Sequence, residues 1–484
     1  MTKMNHVLVA TLFCLSLLAF NLSSQDRPPN IIYIMADDLG YGHLGSYGQE
    51  KIKTPHLDRM AAEGMRFTQS YAGSHVCRPS RSTLMTGKHA GHTAIRANGM
   101  KRFLYDSDVT VAELLKTRGY ATGGFGKWGL GDEDTPGIPM NQGFDEWWGQ
   151  YSQVHAHFYY PYWIWHNDKK VMIPENFNRQ RGKYVHDLLH EKAKAFIRKN
   201  QSGPFFAYLP YIIPHVELVV PEESELPYRG KFPKVGIHDP RENYIGSDDG
   251  YVTVAGMISR LDKHVGEIFS LLKELKIDKD TLVIFTSDNG AQGSGKLTVN
   301  NKPGWQDMTD FFEGNGELRG YKGQFFEGGI RVPLIARWPE QIEAGSTTDH
   351  LTAFWDWLPT AAEIAGVRKQ DIPNDIDGLS YLPTLLGKTA DQKQHAYLYW
   401  EYPYGDKIGQ AVRMGNWKGA IHRPGKEMEL YNLKDDISET NNLATSKPDV
   451  VEKIQSLMAE AHIPERDYKP EPRKMTVEDF VQLN

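Results

Sequence analysis

Two runs of seven residues set the frame for this chain. Asn30-Ile31-Ile32-Tyr33-Ile34-Met35-Ala36 and Thr281-Leu282-Val283-Ile284-Phe285-Thr286-Ser287 are β-prone and continuously apolar through their centres, without the alternation of a half-exposed strand. A strand that is apolar on both faces must be covered on both faces, which is the condition of a parallel sheet packed between helices. Both runs end abruptly in oxygen-bearing side chains, Asp37-Asp38 after the first and Asp288-Asn289 after the second. In open α/β sheets ligands sit beyond the carboxyl ends of the strands, so these two ends mark the working edge.

Helical signals fall between such runs. Thr110-Val111-Ala112-Glu113 is a capping box that opens a helix through Lys116. Tyr120 to Phe125 reads as another short strand. Met257, Leu261, Val265, Ile268, Leu272 and Leu275 recur at helical spacing and predict one long helix packed by that stripe. The alternation predicts an α/β fold, a large, mostly parallel mixed sheet sandwiched by helices. Beyond about Leu386 short β-prone runs at 396–400 and 417–421 alternate with turns. They predict a smaller C-terminal antiparallel sheet with a closing helix near 450–462. The expected division is a catalytic domain over 25–386 and a C-terminal subdomain over 387–484.

The first residues read as a processing signal. Lys3 precedes a mostly apolar stretch at 7–20, and Asn21-Leu22-Ser23-Ser24 supplies small residues for cleavage. The stretch is shorter than the roughly 20 residues that span a bilayer. A signal peptide over 1–24 implies an exported protein, periplasmic or secreted, with no membrane span after its removal. Cys14 leaves with it, so Cys77 is the only cysteine of the mature chain and no internal disulfide forms. The same cut removes one lysine and no acid, taking the net charge from −6 to −7. That balance excludes a basic, nucleic-acid-binding surface.

The lone cysteine opens Cys77-Arg78-Pro79-Ser80-Arg81-Ser82-Thr83-Leu84-Met85-Thr86-Gly87, which reads C-x-P-S-R-x-x-x-x-T-G. At average residue usage such a match arises by chance with a probability on the order of a few in a million. Pro79 suits a first helical turn, where its missing N–H costs nothing. Cys77 then stands at a helix N-terminus, whose free N–H groups and dipole attract an anion. Arg81 can hold an oxygen at residue 77 and balance charge.

This segment resembles the signature of the formylglycine-dependent sulfatases of the alkaline phosphatase superfamily, and the resemblance runs from Pro29 to about Leu443. It implies that a separate maturing enzyme oxidises Cys77 to formylglycine. The hydrate of that residue offers two hydroxyls: one attacks sulfur and expels the alcohol, and the other collapses the intermediate and releases sulfate. Asp37, Asp38, Asp288 and Asn289, with residue 77 itself, match the family's metal residues. An all-oxygen set suits a hard cation, calcium ahead of magnesium, which would polarise the sulfate and help ionise the attacking hydroxyl. Gly126-Lys127-Trp128 resembles the family's G-K-W motif, whose lysine binds sulfate. Lys322 matches the second sulfate-binding lysine, and His215 the histidine that protonates the leaving oxygen.

One position departs from the pattern. Many members read G-K-W-H-L-G, and Gly129 stands here in place of that histidine. His155 and His157 are the nearest candidates to replace it; in an extended segment they alternate onto one face. The H-x-H pair lacks a third soft ligand for a zinc site. Nine aromatics lie between Trp147 and Trp165. Most are expected to wall a core, and a few could offer a platform for a sugar. With export, this favours a sulfated saccharide substrate and an exo-acting carbohydrate sulfatase. The rival readings are a phosphodiesterase or phosphonate hydrolase of the same superfamily, and a degenerate homologue that binds sulfated glycan without cutting it.

Overall fold

The computed structural model describes residues 27–99, 101–237, 244–293, 305–467 and 479–480. The expected signal peptide over 1–24, with Cys14, lies outside the described residues. In chain order the strands are β1 (Asn30–Ala36), β2 (Met65–Phe67), β3 (Ser70–Tyr71), β4 (Ala121–Lys127), β5 (Glu146–Gln150), β6 (Trp163–His166), β7 (Lys169–Met172), β8 (Phe205–Pro210), β9 (Thr281–Ser287), β10 (Leu334–Arg337), β11 (Ser346–Thr348), β12 (Thr352–Ala353), β13 (Leu398–Tyr404), β14 (Lys407–Met414), β15 (Trp417–Ile421) and β16 (Glu429–Asn432).

Ten of them form one mixed sheet in the order β11-β2-β10-β9-β1-β8-β4-β5-β6-β7. Its centre, β9-β1-β8-β4-β5, is parallel. The flanking strands β10, β6 and β7 pair antiparallel with their neighbours. β1 alternates between two cores. Ile32 and Ile34 enter a cluster with the Val185–Asn200 and Gly250–Glu274 helices. Ile31, Tyr33 and Met35 enter a second cluster with residues of the Cys77–Thr86, Val111–Lys116 and Trp357–Ile364 helices. Each fully buried side chain of this size contributes about 1.5–3 kcal/mol, so the two-sided apolar run is what fixes β1 at the centre of the sheet.

The capping box at Thr110 forms as expected: Thr110 Oγ1 accepts from Glu113 N at 3.4 Å, and Glu113 Oε2 accepts from Thr110 N at 2.8 Å. The long helix begins earlier than its apolar stripe, at Gly250, because its first turns are buried on nearly every side and carry no stripe to read. The C-terminal sheet, β13-β14-β15-β16, is antiparallel, and the helix Pro448–Ala461 closes it. Among the described residues no helix is long and apolar enough to cross a membrane.

Candidate active site

The register of β1 with β9 pairs Ala36 with Ser287. The next residues, Asp37 and Asp288, therefore emerge side by side at one edge of the sheet. Asp38 takes a left-handed turn, φ 65°, and its N–H donates to Asp288 Oδ1 at 3.2 Å. Asn289 Nδ2 donates to Asp38 Oδ1 at 2.7 Å, while Asn289 Oδ1 is buried with no partner. Cys77 stands at the first position of its helix, fully buried, with its Sγ 3.5 Å from Asp37 Oδ1. Asp37, Asp38, Cys77 and His215 each bring one ligand atom within 4.8 Å of the others.

Cations close the cluster. Lys127, the last residue of β4, places Nζ 2.6 Å from Asp37 Oδ2. Lys322 Nζ donates to Asp38 Oδ2 at 2.8 Å. Arg81, one turn along from Cys77, forks onto Asp288 Oδ2 at 3.0 and 2.7 Å and donates to the Lys127 carbonyl at 2.7 Å. His215 Nε2 lies 3.4 Å from Asp38 Oδ2. Burial works against the charge on Asp37, but Lys127, His215, Arg81 and Lys322 together hold its carboxyl well below the usual carboxylate range. Burial, reinforced by Asp37, pushes the Cys77 thiol up to about 12. An unmodified Cys77 is therefore a protonated thiol and a poor nucleophile.

The two histidines proposed beside Gly129 separate. The segment is not extended: His155–His157 is a 3-10 turn, so the side chains diverge instead of sharing a face. His155 turns into the core, where its Nε2 meets the Trp163 carbonyl at 2.9 Å and its ring stacks on Phe480 at 4.5 Å. It does not join the cluster, and the expectation of a catalytic role for it is corrected on that ground. His157 stacks on His215 with centroids 4.4 Å apart. Its Nδ1 pairs with the Tyr244 hydroxyl at 2.5 Å, and its Nε2 is buried without a partner. Burial, then His215, Lys127 and Lys322, hold His157 well below the usual imidazole range. Gly129 has φ 79°. A Cβ there would meet Gln153 Oε1 at 3.1 Å, Arg78 Cγ at 3.5 Å and Arg81 Cδ at 4.0 Å. Neither histidine is among these nearest neighbours.

Residues 29–367 match the family model described as Sulfatase. The chain belongs to the sulfatase family. Residues 316–464 also match the model described as N-sulphoglucosamine sulphohydrolase, C-terminal. The N-acetylgalactosamine-6-sulfatase of Canis lupus familiaris is 32% identical over 436 residues, covering 84% of this chain and 74% of that protein. The N-acetylgalactosamine-6-O-sulfatase of Bacteroides thetaiotaomicron is 28% identical, covering 90% and 93%. Among solved structures, Ps i-CgsB in complex with k-i-k-neocarrahexaose superposes with a TM-score of 0.75 at 26% identity, covering 92% of this chain and 94% of that one. The protein is a sulfuric ester hydrolase with the α/β sulfatase fold.

Several groups around this sulfatase site were not legible in the sequence. The Lys322 loop is anchored by the Gly323 N–H on the His75 carbonyl at 2.8 Å. Further along, Glu327 is buried between Tyr71, Arg331 and Lys418, with Lys418 Nζ reaching both Glu327 and Glu439 at 2.9 Å. Lys418 lies on β15, some 90 residues from Glu327, and no local spacing signals such a pair. Of the nine aromatics, Trp147, Tyr151, Phe158, Tyr159, Trp163 and Trp165 are buried, so most form a core wall.

Proposed function

We propose that this sulfatase removes sulfate from a sulfated carbohydrate, using a formylglycine made from Cys77. The observation that carries the reading is the Cys77 thiol, buried at a helix N-terminus among Asp37, Lys127 and Lys322 and kept protonated. A site so rich in fixed cations is suited to a sulfate group, but a neutral thiol cannot displace an alcohol from it. The oxidised residue, as its hydrate, supplies the missing hydroxyl nucleophile.

Lys127 and Lys322 are assigned to the sulfate oxygens, where fixed cations stabilise charge through the displacement. His215 is assigned to the proton delivered to the leaving oxygen. His157, stacked on it with a free Nε2, is assigned to proton acceptance. The donor set fits a hard cation: Asp37, Asp38, Asp288 and the unpartnered Asn289 Oδ1 are all oxygen ligands. Calcium is the ion proposed, ahead of magnesium, and when bound it polarises the sulfate and favours ionisation of the attacking hydroxyl.

The relatives, an N-acetylgalactosamine-6-sulfatase and an N-acetylgalactosamine-6-O-sulfatase by name, support a saccharide substrate. The residue pattern of 1–24 supports export to the periplasm or beyond, and the formylglycine reading requires a maturing enzyme as a partner. The unit over 387–484 is assigned to bracing the Lys322 loop through Lys418. Sulfate release from a panel of defined sulfated mono- and disaccharides, run beside aryl sulfate and aryl phosphate esters, tests the function. Turnover of the sulfated sugars supports it. Preference for the phosphate ester, or glycan binding without sulfate release, overturns it.

A further inference from the structure

The turn after β4 contains an unfilled hydrogen-bonding position. Gly129 has no side chain and φ 79°, a conformation that disfavours any other residue. Its carbonyl accepts from Arg78 Nε, and the Lys127 carbonyl accepts from Arg81 Nη1 at 2.7 Å. The turn therefore lies along the first turn of the helix that Cys77 begins, on the side carrying Arg78 and Arg81. The space over Gly129 is bounded by the stems of those two arginines and by Gln153 Oε1. That oxygen is buried and accepts no hydrogen bond. A second amide lies at the end of β5. Gln150 is fully buried with neither Oε1 nor Nε2 partnered. It is the register partner of Lys127 across β4 and β5, so both side chains leave the same face of the sheet. Buried amide atoms without partners are costly: Gln153 Oε1 calls for a donor, and Gln150 for both a donor and an acceptor.

We propose that Gln153 holds the hydrated form of residue 77, its Oε1 accepting a hydrogen bond from the hydroxyl that is not engaged in displacement. The inference rests on the formylglycine reading above and names a contact that the reading lacks. Hydration adds one water across the aldehyde C=O: the water oxygen bonds to carbon, and one of its protons passes to the former carbonyl oxygen. No oxidant or reductant is needed. The aldehyde has only an acceptor oxygen, whereas the diol has two O–H donors. An acceptor fixed over Gly129 therefore favours the diol and fixes its rotation.

The test compares wild type with Gln153→Leu, which removes the acceptor at similar volume, and Gln153→Glu, which presents acceptors only. Three quantities are measured in each: the formylglycine content of the residue-77 peptide, steady-state kinetics with an aryl sulfate, and the rate at which an aminooxy reagent labels residue 77 in the folded protein. Aminooxy reagents capture the aldehyde and not the diol. With equal formylglycine content and equal Tm, Gln153→Leu is expected to lose about tenfold or more in kcat, with KM within about threefold, and to label several-fold faster. Gln153→Glu, which keeps an acceptor, should label residue 77 no faster than wild type. Wild-type kcat and labelling in Gln153→Leu would overturn the proposal. So would a kcat loss with unchanged labelling, which marks a merely structural role. A wild-type protein that is active but carries no formylglycine would fail the underlying reading instead, and the peptide measurement separates that case.

Discussion

Lys127 Nζ lies 2.6 Å from Asp37 Oδ2, and both side chains are closed off from solvent. A buried ion pair of this kind is a poor source of net stability, but removing Lys127 takes the nearest cation from Asp37 and leaves it only the more distant Arg81, at 3.4 Å. Lys127→Met should therefore destabilise the metal-free protein by about 3 kcal/mol, measured by denaturant unfolding in chelator. Added calcium should recover part of that loss, because a cation on Asp37 compensates its charge. An equal loss with and without calcium would remove Asp37 from the ligand set.

Metal removal has its own signature. Asn289 Oδ1 has no partner, and the three carboxylates beside it, though paired with Lys127, Lys322 and Arg81, keep further acceptor capacity for a cation. At a concentration 100 times its Kd, calcium should stabilise the fold by about 2.7 kcal/mol. Chelation should lower Tm and abolish turnover, and calcium should restore both. Asn289→Leu should weaken calcium binding in calorimetry and also lower the Tm of the chelated protein, because Asn289 Nδ2 donates to Asp38 Oδ1 and to the Gly290 carbonyl.

Lys322 bonds Asp38 but lies at the margin of the cluster, slightly exposed at 7%. Lys322→Ala should lower kcat/KM by about 10²–10³, the range for losing one electrostatic contact to a transition state, with the fold intact by circular dichroism. Wild-type kinetics would show that another cation holds the sulfate.

His155 gives a pH prediction with a definite sign. Burial drives its pKa down from 6.5 to about 3, so the folded protein keeps it neutral while the unfolded chain protonates it below pH 6.5. Its contribution is complete above pH 6.5 and is lost as pH falls towards 3. His155→Phe, which retains the stack on Phe480, should flatten the fall of stability between pH 6.5 and 5 by up to about 1.4 kcal/mol per pH unit. His157→Ala should instead lower kcat. An unchanged pH slope in the first variant would place the acid sensitivity in other buried histidines such as His75 or His186.

The contrast between His155 and His157 marks where the sequence stops being legible. The strand runs 30–36 and 281–287 declare their two-sided burial through composition alone, and the polar residues that follow them had to share an edge once both strands were parallel. The Cys77 segment is contiguous, so its helix and its chemistry could be read together. The flanking groups could not. Whether a histidine at 155 or 157 meets the site depends on a 3-10 turn that rotates one ring onto Phe480 and the other onto His215. Phe480 is more than 300 residues away in the chain. Gln153 faces Gly129 only because β4 and β5 are neighbours in register. Lys418 reaches Glu327 only after the C-terminal sheet has docked.

The central claim is that residue 77 acts as formylglycine. Mass spectrometry of the tryptic peptide from active protein, paired with turnover of the same sample, tests it most directly. The expected peptide is about 18 Da lighter than the cysteine form, the change for oxidation of the thiol to the aldehyde, with activity proportional to that fraction. Full turnover by protein carrying only intact Cys77 would contradict it.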